Sequence, residues 1–194
     1  MRFISVVAAV GAALGATFDF GLAQSQQAAS QTASQAASVA PADWVRVTAP
    51  EAGFAASFPS QPQVQRSARE QGGEAYKSVR YTASAPNIAM AVEYSVYDDP
   101  AIRIDLDRVM NGFADAMNGK VVAKWQTSYA RGFGAPLPKL EYTVQTGETI
   151  CRAGAIADGP AVYQVIGCAN KAASMPLDIE RMLASFVLTP RAAS

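Results

Sequence analysis

"TICRAGAIADGPAVYQVIGC", residues Thr149 to Cys168, contains both cysteines of the chain. Two β-branched and aromatic runs flank Asp158-Gly159-Pro160, the pattern of two antiparallel strands joined by a tight turn. If Asp158 pairs with Ala161, the residues seven before one and seven after the other also pair, and these are Cys151 and Cys168. They then stand directly opposite on one face, with Cβ atoms about 4.5–5.5 Å apart. A disulfide asks for Cβ atoms nearer about 3.8 Å, a modest adjustment. A turn one residue longer or shorter would spoil the alignment. Two free buried thiols, a redox pair and a metal site are the other readings. A reactive dithiol favours a C-x-x-C spacing, which is absent. Two thiolates in a chain without histidine make a poor zinc site. The expected role of Cys151 and Cys168 is therefore a structural disulfide.

Working outward, "NIAMAVEYSVY" (Asn87–Tyr97) alternates without a break. Ile88, Met90, Val92, Tyr94 and Val96 share one face; Ala89, Ala91, Glu93, Ser95 and Tyr97 share the other. Such alternation predicts a sheet with one face against a core. Further strands are expected at Trp44–Thr48, Phe54–Phe58, Gln63–Glu70, Tyr76–Ala83, Val121–Tyr129 and Lys139–Thr146, with a Gly72-Gly73 hairpin turn and a loop over Ala130–Pro138. Between Asp105 and Gly119 the period changes. Leu106, Val109, Met110, Phe113 and Met117 form one helical stripe, with Asp105 as N-cap and Gly119 as C-cap. A second amphipathic segment covers Leu177–Phe186. Together these predict an α+β domain: an antiparallel β-sheet flanked by helices.

The ends predict export. Arg2 precedes the apolar run Phe3–Ala16, which at about 14 residues is shorter than the roughly 20 a spanning helix needs. With small residues at Gly21 and Ala23, it reads as a signal peptide over residues 1–23; an uncleaved membrane anchor is the alternative. Residues 24–42 are built from Gln, Ala, Ser, Thr, Val and Pro and read as a flexible linker. A single domain is expected over 43–190, periplasmic or secreted, with no stable membrane span after cleavage.

Sixteen basic and sixteen acidic residues leave no net charge, which argues against nucleic-acid binding. The absence of histidine removes the commonest general base and metal ligand. No catalytic serine motif or phosphate-cradling loop is present, and nothing calls for a cofactor or metal. The acidic residues Asp98, Asp99, Asp105, Asp107 and Asp115 read as a solvated face around a helix start. No catalytic residue is assigned. The segment nominated for binding is Trp125, Tyr129, Arg131 and Phe133, where aromatics and a cation adjoin a Gly/Pro loop. Trp125 and Tyr129 share strand parity and also suit a core.

The opening Trp44, Gly53-Phe54, and Phe58-Pro59 with Pro62 resemble the start of PsbP-like domains and their bacterial exported relatives. Gly134-Ala135-Pro136 followed by Leu140-Glu141-Tyr142, the Tyr163 strand and the closing Ala184-Ser185-Phe186 are similar to later segments of that family. Leu137 stands where the family has a glycine. The resemblance spans about Asp43 to Pro190 and implies an α/β/α sandwich around an antiparallel sheet. For function it implies a non-catalytic accessory role, and it carries no site residues to this chain. The resulting expectation is an exported binding or accessory module contacting an envelope protein or small ligand. A carboxylate-dependent hydrolase and a structural envelope protein with an uncleaved anchor are the alternatives.

Overall fold

The computed structural model describes residues 44–71, 73–170 and 177–191. The expected signal peptide at 1–23 and linker at 24–42 lie outside the described residues, as do Asp43 and Gly72.

The large sheet is antiparallel throughout and begins with a meander of β3 (Gln63–Gln71), β4 (Glu74–Ala85) and β5 (Ile88–Tyr97). It is completed by β6 (Lys120–Tyr129), β7 (Leu137–Gln145), β8 (Thr149–Asp158) and β9 (Ala161–Asn170). The spatial order is β3-β4-β5-β9-β8-β7-β6, so the two meanders join where β9 pairs with β5. A smaller sheet of β1 (Val45–Ala49), β2 (Phe54–Phe58) and β10 (Val187–Leu188) has the order β1-β2-β10.

Helices cover both faces of the large sheet. The Val109, Met110 and Phe113 side of α1 (Leu106–Ala116) packs on Leu140, Tyr142 and Val144 together with both cysteines. On the opposite face, Ile179 and Met182 of α2 (Leu177–Ser185) join Phe54 and Phe58 of the small sheet over Met90, Val92, Tyr163 and Val165. The expected α+β architecture is present, with the opening strands set apart in a second sheet.

Local signals account for most boundaries. Asp105 caps α1, its Oδ1 accepting from the Asp107 and Arg108 amides at 3.0 and 3.3 Å. The C-terminal end differs from expectation: Met117, not Gly119, is the C-cap, and Asn118, at φ 49°, adopts the left-handed conformation. The Gly119 and Asn118 amides bond back to the Ala114 and Asp115 carbonyls, a Schellman closure. Gly119 is needed for close approach instead, since a Cβ there would lie 2.7 Å from Val144 Cγ1.

Three other expectations are corrected. Asn87 is a turn residue at φ 63°, and β5 starts at Ile88. The loop after β6 ends before Leu137, where β7 begins; Pro138 fits because β7 pairs with β8 only from Lys139 onward. Most consequentially, β5 is buried on both faces, not one. α1 and the segment leading into it pack over the second face of β5, taking in Ala91 and Tyr97, so that face is covered as well.

The hairpin register is as expected. Asp158 pairs with Ala161 and Cys151 with Cys168, across a turn in which Gly159 takes φ 63°. The two sulfurs lie at bonding distance, and both cysteines are buried under α1.

Candidate functional site

Beside α2, the face of the large sheet that α1 does not cover opens into a cleft of about 220 Å³. Its apolar lining comes from Ile156 on β8, Val165 on β9, Tyr129 on β6, and Leu183 and Phe186 from and just beyond α2. Strand alternation places Lys139 and Glu141 of β7 and Arg152 of β8 on this same face, and Glu180 projects from α2. Gly154 lies among them, paired with Glu141 on one side and Val165 on the other.

The charged side chains form one network. Lys139 Nζ meets Glu141 Oε1, Trp125 Nε1 donates to Glu141 Oε2 at 3.0 Å, and Arg152 bonds Glu180. Arg152 also lies 3.9 Å from Glu141 Oε2, and its guanidinium sits over the Trp125 ring at 5.7 Å. Partial burial pushes the Glu141 carboxyl up, but the Lys139 ammonium, the Trp125 N–H and Arg152 outweigh it and hold the group below the usual carboxylate range. Trp125 stays 39% exposed at the rim.

The four nominated binding residues do not form one patch. Trp125 belongs to the charged network. Tyr129 lies on the same strand face, but its ring packs on Phe186 and its hydroxyl accepts from the Leu188 amide at 3.0 Å. Arg131 turns toward the β8–β9 turn, pairing with Asp158 at 3.3 Å and bonding the Ala135 carbonyl, and stacks over the exposed Phe133 ring. Asp158 is bridged a second time by Arg191 at 2.8 Å; Arg191 also donates to the Tyr163 hydroxyl and lies over Tyr94.

The polar residues that line the cleft, Lys139, Glu141, Arg152 and Glu180, with Gly154 among them, were not legible as a group; Trp125 reaches them through Glu141. Lys139 and Glu141 alternating on β7 carried a faint signal, but Glu180 reaches them only through the docking of α2. That docking depends on Gly167 of β9, where a Cβ would meet Ile179 Cγ2 at 2.5 Å.

A second polar group lies inside the opposite face. Arg80 Nε donates to Glu93 Oε2 at 2.8 Å, with both residues buried. Gln164 beside them donates from Nε2 to the Tyr142 hydroxyl at 2.9 Å, while its Oε1 has no partner. Burial pushes Glu93 above the usual carboxylate range despite the Arg80 charge and hydrogen bond. Sequence alternation placed Glu93 off the core face and gave no sign of this.

Among the described residues, no cluster of three or more His, Cys, Asp or Glu side chains is arranged to hold a metal, and no helix is long and apolar enough to cross a membrane. No protein-family profile matches the sequence, and no curated protein matches it. Among solved structures, the solution structure of cyanobacterial PsbP (CyanoP) from Synechocystis sp. PCC 6803 is similar over 80% of this chain and 98% of that one, at 14% identity and a TM-score of 0.48. A Pseudomonas aeruginosa protein of unknown function, PA94, is similar over 71% of this chain and 86% of its own, at 16% identity and a TM-score of 0.32. Likeness this distant transfers neither site residues nor an activity.

Proposed function

We propose that this chain is an exported, non-catalytic accessory module of the periplasm or the secreted fraction, whose recognition surface is the Trp125 rim and the cleft beside α2. Residues 1–23 act as signal peptide and 24–42 as linker in this reading. The observation that carries it is the placement of Trp125: an exposed indole beside an apolar-lined cleft, at a rim whose charged groups are mutually paired. Tryptophan and arginine beside an apolar-lined hollow are the usual ingredients of a binding hot spot. The Cys151–Cys168 pair favours an oxidising compartment.

The hydrolase alternative asks for two carboxylates of opposed acidity in one pocket. Here Glu93 is pushed up and Glu141 held down, but register sends their side chains to opposite faces of the sheet, where they cannot share a substrate.

The reading is tested with the chain in its native envelope, carrying a photo-crosslinking residue at position 125 or, as control, at the exposed Gln65. The expected result is a mature mass beginning at Gln24 and one discrete adduct from position 125 alone. A retained N-terminus, or the same adduct from both positions, would overturn it.

A further inference from the structure

Gly154 is a glycine without a local reason. Its backbone is not left-handed, so conformation does not require it. Nor does crowding: a Cβ added there would meet only Lys139 Cε, at an ordinary 3.5 Å. Gly167 and Gly119, by contrast, are held to glycine by neighbours at 2.5 and 2.7 Å. A strand-interior glycine costs stability and often marks a bulge, a bend or the close approach of a ligand or another backbone, and the register through Gly154 runs on both sides without a bulge. What the missing side chain leaves at Gly154 is the cleft itself.

We propose that the cleft binds a small zwitterion with an apolar group, its class being a free apolar α-amino acid; this rests on the recognition surface assigned above. Three properties of the hollow select that class. Its volume of about 220 Å³ lies below the roughly 300–1,000 Å³ of sites for drug-sized ligands, which suits a ligand the size of a single amino acid. Its charged groups comprise two cations, Lys139 and Arg152, and two carboxylates, Glu141 and Glu180, so no single-sign ligand is favoured. Its interior is apolar, from Ile156, Val165, Leu183 and Phe186. The ligand carboxylate takes the cations, the ammonium takes the carboxylates, and the side chain covers the apolar lining. The resident pairs are partly exposed, 24–40%, so exchanging one partner for another costs little.

The test is calorimetric titration and thermal melting of the full mature chain with L-leucine and L-phenylalanine. N-acetyl-L-leucine, which lacks the ammonium, and L-leucinamide, which lacks the carboxylate, are the comparison probes. The expected result is a concentration-dependent rise in melting temperature with the free amino acids and affinity weaker by about tenfold or more for each blocked probe. Gly154→Leu, which fills the hollow, should abolish binding while leaving the circular dichroism unchanged. Arg152→Gln gives an independent check, weakening the free amino acid far more than leucinamide. Absence of binding by either free amino acid, equal binding of the blocked probes, or an unaffected Gly154→Leu variant would overturn the proposal. A chain that still forms the position-125 adduct but ignores amino acids refutes the zwitterion alone, whereas loss of the adduct's specificity refutes the recognition surface.

Discussion

Arg80 and Glu93 pair across β4 and β5 inside the sheet, with side chains 9% and 7% exposed. Removing one member of such a pair leaves the other charge buried without its partner, a loss of about 3–5 kcal/mol. Arg80→Met is therefore expected to lower the urea midpoint strongly at neutral pH. The defect has a predictable pH dependence. A carboxyl whose folded pKa is raised binds its proton more tightly when folded, so its contribution is fully present below the unfolded pKa and falls away as pH rises through the folded one. Urea melts from pH 4 to pH 8 should show the gap between Arg80→Met and the parent widening with pH. A constant gap would mean that Glu93 does not respond to the loss of its cation.

The Cys151–Cys168 bridge links positions 17 apart in the sequence. In the chain-entropy account, a loop of about that length contributes roughly 3 kcal/mol. For a domain of this size the loss corresponds to about 6–12 °C. Melting the parent with and without reductant should show that drop, and the Cys151→Ala/Cys168→Ala variant should be insensitive to reductant.

The two sheet glycines facing α2 and the cleft should respond oppositely to the same small change. Gly167→Ala drives a methyl into Ile179 and is expected to cost about 1–3 kcal/mol. Gly154→Ala meets only ordinary contact and should be neutral or stabilising by up to about 1 kcal/mol, through the narrower unfolded ensemble. Paired denaturant titrations separate the two.

Alkaline titration followed by phenolate absorbance provides a global check. Burial pushes Tyr97 and Tyr163 up to about 12, and raises Tyr81, Tyr94 and Tyr142 as well. Unfolded tyrosines ionise near pH 10, so stability contributed by the protonated phenols is present below that value and is lost as pH rises toward 12. Tyr81, Tyr94, Tyr97, Tyr142 and Tyr163 should resist ionisation at pH 10, and their phenolate signal should appear together with loss of the far-ultraviolet signal.

Strand order beyond the hairpins shows where local reading ended. The turn residues Gly159 and Pro160 and the spacing of the cysteines placed β8 against β9 residue by residue. The stripe from Leu106 to Met117 and the Asp105 cap placed α1. The pairing of β5 with β9 joins segments some seventy residues apart, and no turn connects them. Alternation on β5 accordingly predicted one covered face, whereas the packing of α1 and Ile102 over the other covers both.

Chain-local chemistry was thus sufficient for the elements, the hairpin register, the Cys151–Cys168 pairing and the α+β class, because each depends on contacts a few residues apart or on a strict period. The site needed the tertiary structure. Trp125, Glu141, Arg152 and Glu180 come from three strands and a helix that meet only after the sheet closes and α2 settles on Gly167. The significance of Gly154 arises in the same way: a glycine declares no cavity in a sequence, and its space becomes a cleft only when the neighbouring elements stop short of filling it.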